Sequence, residues 1–404
     1  MFLYIKYFII HEVFDMKKAF AKVLCLCLCF VMLAGCMVAC NKNDGGDTIV
    51  IGLSGPLTGG AAVYGLAVRN AAQMAVDEIN AAGGLNNGLK FELAAFDDQH
   101  DETKVATNYE AMMGKGMQVS LGCVTSNPCL EFSALSAEDN VFFLTPSASN
   151  DKVVDESNAY QMCFADGNQG AVAAAQVNAM DLDKIGIFYK SDDTYSKGIY
   201  DQFMANLDKD IEVKATTFTT ATETSFKAQI EELKDCSFIF MPIYYGPAST
   251  FMTQAKGIIA DDAVYYGCDG FDGIESAFDD ITSIPQEISM LSHFNSKATE
   301  GKAAEFIAKY TEKFGTETLN QFGASAYDCV YALAQAMNEI IDAEGDDAIT
   351  ADISASDLCE LLKAKFNSAD FKFDGATGTG IQWKNTGFVD KAAVMYPIKA
   401  AKNA

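Results

Sequence analysis

From Thr48 onward the chain alternates short β-rich runs with longer helical ones, and that rhythm leaves few architectures open. Thr48–Leu53 is a predicted strand because it is rich in β-branched residues. Ala61–Ala82 follows as a helix, with apolar residues at Val68, Ala71, Ala72, Ala75, Val76 and Ile79 and a stop at Gly83-Gly84. Lys90–Phe96, Met117–Leu121 and Val141–Leu144 continue as strands, separated by helices at Glu102–Gly114 and Ser126–Asp139. The rhythm restarts after residue 166. Strands are expected at Lys184–Tyr189, Ile211–Thr217, Ser237–Met241 and Ala263–Tyr266, and helices at Tyr195–Leu207, Ser225–Lys234 and Pro247–Ile259. Long helices follow at Thr299–Phe314 and Phe322–Ala343, with a shorter one at Ser354–Phe366. Strand-like pieces at Phe371–Phe373, Gly378–Trp383 and Gly387–Met395 close the chain. Strand–helix alternation predicts an α/β protein with parallel sheets covered by helices on both faces.

The first residues read differently. Met16-Lys17-Lys18 opens a basic segment, Val23 to Leu33 is apolar, and Ala34, Gly35 and Cys36 follow. That order is an export signal, and the apolar run falls short of the roughly 20 residues a spanning helix needs. Met1 to Asp15 reads as an upstream extension, since Met16 begins a complete signal. Leu33-Ala34-Gly35-Cys36 resembles the lipobox of bacterial lipoproteins, with Val38-Ala39-Cys40 a weaker second candidate. The resemblance implies cleavage before Cys36, a lipid on its sulfur, and a place on the outer face of the cell membrane. Residues 36–47 would then be the lipidated cysteine and a polar tether.

Charge excludes one class of partner. The chain has 29 Lys and Arg against 55 Asp and Glu, a net charge of −26, and Arg69 is its single arginine. Nucleic-acid binding needs clustered cations, which this composition does not supply. Of the 12 cysteines, those at 123, 129, 163, 236, 268, 329 and 359 are scattered in mostly apolar contexts and read mainly as buried thiols. A Cys123–Cys129 bridge stays open. The histidines lack zinc-type spacing, the acidic run 97–101 reads as a helix-entry loop rather than a metal site, and no cofactor motif appears.

In an open parallel sheet, ligands sit beyond the carboxyl ends of strands. The loops in those positions hold Tyr64, Ser126, Ser147 and Ser149 in the first unit and Tyr195, Tyr244 and Asp269 in the second. By residue type alone, Ser126 and Ser149 also suit helix caps, Tyr195 and Tyr244 suit lobe packing, and Asp269 suits a solvated turn.

Ile51–Gly65, Asp77–Gly84, Phe96-Asp97-Asp98, Leu144–Ser149 and Gln321–Leu333 together resemble the branched-chain amino-acid (Leu/Ile/Val) binding proteins of ABC transporters, over roughly residues 48–396. The resemblance implies the type I periplasmic-binding fold: two Rossmann-like lobes joined by three crossings. It assigns 48–165 plus 295–373 to one lobe and 166–294 plus 374–404 to the other. It implies an extracytoplasmic solute-binding lipoprotein, not an enzyme, that closes on an amino-acid ligand and serves a permease and an ATPase, as a monomer. A sensing receptor of the same fold, or a binder of a short amide or urea-like solute, is the alternative. By position, Ser126, Ser147 and Ser149 match residues holding the ligand's carboxylate and ammonium. Tyr64 matches an aromatic lining the side-chain pocket, and Tyr195 and Tyr244 match aromatics closing over the ligand. Asp269 replaces a glutamate that pairs with the ammonium. Thr125 stands where some members have a cysteine, and Gln99-His100 replaces its disulfide partner.

Overall fold

The computed structural model describes residues 47–383 and 387–400. The proposed signal, Cys36 and the tether through residue 46 lie outside the described residues. Two sheets organise the chain. The first contains β1 (Thr48–Gly55), β2 (Lys90–Asp97), β3 (Met117–Cys123), β4 (Phe143–Thr145) and β5 (Ala159–Gln161), all parallel, in the order β2-β1-β3-β4-β5. The second contains β6 (Lys184–Lys190), β7 (Glu212–Phe218), β8 (Phe238–Met241), β9 (Val264–Gly267), β10 (Glu287–Ser292) and β13 (Val394–Lys399), in the order β13-β10-β9-β8-β6-β7. Only β13 runs antiparallel there. The short antiparallel ladder of β11 (Phe373–Gly375) and β12 (Gly378–Ile381) stands apart.

Helices cover these sheets. On the first are α1 (Ala62–Ala81), α2 (Val105–Gly114), α3 (Ser126–Glu138) and, from later in the chain, α8 (Gly301–Phe314), α9 (Gln321–Glu344) and α10 (Ala355–Phe366). On the second are α4 (Asp166–Asn178), α5 (Thr194–Asn206), α6 (Lys227–Leu233) and α7 (Tyr245–Gln254). The apolar content of β1 follows from its place: it is central, and every residue after Thr48 is buried. β3 is equally buried although it carries Gln118 and Ser120. Both are satisfied: Gln118 accepts from the Val50 amide at 3.1 Å and donates to the Ala351 and Ile353 carbonyls, and Ser120 donates to the Gly52 carbonyl.

Both sheets share one winding, 2-1-3-4-5 in order of appearance, whose reversal lies between the first and third strands. Loops leaving those two strands diverge and open a crevice. In the first sheet they lead to Tyr64 and Ser126, and in the second to Tyr195 and Tyr244. The strands beside them, β4 and β9, lead to Ser147, Ser149 and Asp269.

The chain passes between the sheets at three places: after Gln161, after Ser292 and between Ile381 and Val394. The first and third passages are bonded side by side. The Gln161 amide donates to the Gly387 carbonyl at 2.8 Å, and the Trp383 indole donates to the Gln161 carbonyl at 2.7 Å.

Four elements depart from expectation. β5, α4 and β10 are present where no element is predicted. The strand expected at Gly387–Met395 lies instead at Val394–Lys399, because Gly387 adopts a φ of 70° and 388–393 form no ladder. Pro397, which cannot donate to a ladder, is tolerated there because β13 is an edge strand.

Candidate ligand-binding site

Tyr64, Ser126, Ser147, Ser149, Tyr195, Tyr244 and Asp269 all line one small cavity between the two sheets, with Val124, Thr125, Gly270 and Phe322. Sequence reasoning therefore placed its candidates on one gap. The cavity measures about 10 Å³ for the centre of a water-sized sphere, room for one water at most.

The first-sheet wall is built on main chain. Ser126 is the first residue of α3, and Thr125 is the N-cap. The first amides of a helix lack internal partners, and Pro128 has none to offer, so the Ser126 and Asn127 N–H groups are the free ends of this helix. The Ser126 hydroxyl accepts from the Asn150 amide at 3.3 Å, which ties the 147–150 loop to α3. That loop is buried and braced from behind: Thr145 Oγ1 accepts the Ala148 amide at 3.1 Å, and Gln161 donates to the Ala148 and Asn150 carbonyls. Ser149 caps no described helix; Asn150 caps the turn that follows.

The second-sheet wall is aromatic and acidic. Tyr195 and Tyr244 stack with centroids 4.6 Å apart and planes 8° apart. The Tyr195 hydroxyl donates to Asp269 Oδ1 at 2.5 Å and accepts the Gly270 amide at 2.8 Å. Gly270 is required there, because a Cβ would sit 2.6 Å from that hydroxyl and 2.6 Å from the Ile243 carbonyl oxygen. Asp269 is 1% exposed, so the solvated-turn alternative does not hold. Burial pushes its carboxyl up to about 6, opposed by the Tyr195 hydrogen bond, the nearby Gln169 side chain and neighbouring amides. Among the described residues, Asp269 Oδ2 has no partner of regular hydrogen-bond geometry. Among the described residues, no Lys, Arg or His lines the cavity.

Bonds across the gap hold the two walls together. The Tyr64 hydroxyl donates to the Gly270 carbonyl at 2.5 Å and accepts the Tyr245 amide at 3.3 Å. Asn127 Oδ1 accepts from Thr194, and Asn150 Nδ2 donates to the Thr194 carbonyl at 3.0 Å.

Tyr244 also borders a larger space of about 750 Å³ at the mouth of the gap, lined among others by His100, Asn127, Lys190, Asp193 and Glu223. His100 meets the Tyr244 ring edge-on, 5.3 Å between centroids. Its Nδ1 shares a hydrogen bond with Thr125 Oγ1 at 2.9 Å. The two places where the resemblance marks a missing disulfide are therefore joined by this bond. Gln99 and His100 both have positive φ, 56° and 61°. Burial lowers the His100 imidazole to about 4, so it is neutral at ordinary pH. The acidic run beside it serves the loop: Asp97 accepts the Leu57 and Thr58 amides, and Asp98 accepts the Ser54 hydroxyl and the His100 amide. The seven cysteines among the described residues are free and buried, Cys123 and Cys129 included.

The sequence profile of the periplasmic binding protein family matches residues 48–403. The chain belongs to that family. This periplasmic binding protein is 31% identical over 233 residues to the Leu/Ile/Val-binding protein BraC3 of Rhizobium johnstonii, covering 56% of this chain and 63% of that one. The match thus spans about three fifths of the relative's length. In structure it resembles the leucine-binding protein LivK of Thermotoga maritima, with TM-score 0.74 and 21% identity over 88% of this chain and 96% of that one. It also resembles the branched-chain amino-acid substrate-binding protein LivJ of Streptococcus pneumoniae, solved with isoleucine, with TM-score 0.69 and 25% identity over 87% and 99%. In this periplasmic binding protein, sequence reasoning missed Thr125 and Phe322 on the cavity wall, His100 at its mouth, and Asp166 and Gln169 behind it. The Asp-x-x-Gln spacing on one helix face was the available signal for the last two.

Proposed function

We propose that the protein is the solute-binding component of an ABC importer and captures a branched-chain or similar amino acid between its two lobes. The observation that carries this reading is the single cavity on which all seven candidates converge, with an unpartnered carboxylate oxygen on one wall and free helix-start amides on the other. A zwitterion matches that pattern. Its ammonium meets Asp269 Oδ2 in a charge-assisted bond. Its carboxylate meets the Ser126 and Asn127 amides and the hydroxyls of Ser126, Ser147 and Ser149. An apolar side chain lies among Tyr64, Val124, Tyr244 and Phe322, where full burial of a leucine-sized group contributes about 1.5–3 kcal/mol.

The space is far smaller than any amino acid, so ligand enters only after the walls part or Tyr244 swings toward the mouth. Parting breaks the Tyr64–Gly270 and Asn150–Thr194 bonds, and the ligand's own contacts replace them on closure. The ligand is released chemically unchanged to a permease and its ATPase. The lobes run 48–165 plus 295–373 and 166–294 plus 374–404, and a monomer anchored by a lipid on Cys36 at the outer membrane face completes the picture. The relatives named for leucine, isoleucine and valine support the ligand class.

A thermal-shift screen of the purified protein against the amino acids tests this reading. A ligand at 100 times its Kd adds about 2.7 kcal/mol to stability. A rise in Tm with leucine, isoleucine or valine is expected, and the absence of a shift with every amino acid contradicts the proposal.

A further inference from the structure

Behind the Ser149 wall sits a second acid. Asp166 opens α4, its amide donates to the Ser149 carbonyl at 2.8 Å, and it is 1% exposed, like Asp269. One helical turn on, Gln169 accepts the Asp269 amide at 3.0 Å. Residues three apart share a helix face, so the first turn of α4 presents Asp166 and Gln169 together to the turn that carries Asp269. The Ser149 hydroxyl lies close enough to favour the ionised form of Asp166, but neither of its carboxylate oxygens has a partner of regular hydrogen-bond geometry, nor does Asp269 Oδ2.

The groups around these two acids supply no counter-ion. Asp151 and Asp193 repel Asp166, while Asp272, Cys163, Cys268, Tyr64, Tyr195 and Tyr244 are acids or neutral groups whose ionised forms are disfavoured by Asp269. Lys391 acts on the Cys163 thiol and on Asp328, and its amine donates to Thr377 Oγ1 at 2.5 Å. Neither Asp166 nor Asp269 forms an ion pair among the described residues. Two buried carboxylates without a cation do not both ionise at modest cost.

We propose that Asp166 and Asp269 form one acid pair that holds a proton in the ligand-free protein and loses it to solvent when a ligand's primary ammonium group binds. The inference rests on the amino-acid reading for its ligand. The ammonium brings one positive charge into the site. The O–H bond of the protonated carboxyl breaks, its electron pair stays on the carboxylate, and the proton goes to buffer. Burial raises both groups, and the Asp269 charge raises Asp166 further, well above its ordinary value, in keeping with a retained proton. Such a pair favours an aminated ligand over an acid of similar size that lacks the amine.

Two measurements test this. The first is calorimetry of leucine binding at about pH 7 in phosphate and in Tris, whose ionisation heats differ. The wild type is expected to show a buffer-dependent enthalpy that reports proton release, and the Asp166→Asn variant an enthalpy that does not depend on buffer. No release in the wild type, or unchanged release in the variant, overturns the proposal. The second uses ligand-free protein. An acid whose folded pKa is raised contributes stability at low pH that is lost as pH rises through the folded value. Asp166→Asn, which cannot ionise, is therefore expected to gain Tm over the wild type between about pH 4 and pH 8, with the gap closing at the low end. A gap independent of pH overturns the proposal whether or not any amino acid binds. If none binds, the functional reading fails and proton displacement with it, while the melts still decide whether the pair holds a proton.

Discussion

Asp269 concentrates the site's chemistry because one oxygen is spoken for and the other is not. Under the proposed function, replacing it with Ala, or Ser149 with Ala, removes a hydrogen bond to a charged ligand group, and each is expected to weaken binding by about 1.5–3 kcal/mol in calorimetry. Unchanged affinity in both variants removes these residues from the site. The acid must also be ionised to hold an ammonium. Burial raises its carboxyl to about 6, so affinity falls as pH drops through that value. Binding at about pH 5 should be measurably weaker than at about pH 7, and a flat profile contradicts the assignment. Strand-end placement and family pattern made seven cavity residues legible in the sequence. Asp166 and His100 were not, since the importance of each depends on partners that only folding supplies: the cavity-lining Asp269 for one, the Tyr244 ring for the other.

Elements with a strong period were readable, and those defined by their neighbours were not. α1, α8 and α9 carry recurring apolar residues and stand where expected. α4 reads poorly because Gly167 and Gly170 lower its helix propensity and small alanines replace large apolar residues. The reason lies in packing against α5. A Cβ at Gly170 would lie 2.6 Å from the Gln202 Cβ, 2.7 Å from the Ile199 carbonyl oxygen and 2.8 Å from the Phe203 amide nitrogen. Gly170→Ala therefore forces α4 and α5 apart and should cost about 1–3 kcal/mol in urea unfolding. It should also weaken ligand binding, because α4 carries Gln169, which holds the Asp269 amide. A variant as stable as wild type would show that the helices have room to spare. Among strands, β5 has only three residues, and β10 is recognisable only by its pairing to β9 and β13.

At the scale of the molecule, two sheets of the same winding face each other across their reversal points, and the loops there deliver hydroxyls and amides from one side and tyrosines and an acid from the other. Parallel sheets and helical layers followed from the alternation of the sequence. The passages between the sheets did not, since nothing periodic marks them; they are identified by bonds such as Trp383 to Gln161, Asn168 to the Lys391 carbonyl, and the His293 amide to Gln321. The tightness of the gap, with Tyr64 bonded across it to Gly270, fits a clamp that closes on something small. A crystal structure of the protein grown with saturating leucine is the most direct test. The account predicts one amino acid enclosed between the sheets, its ammonium within hydrogen-bond reach of Asp269 Oδ2 and its carboxylate at the Ser126 and Asn127 amides. Leucine bound elsewhere, or Asp269 Oδ2 still unpartnered in a saturated crystal, contradicts it.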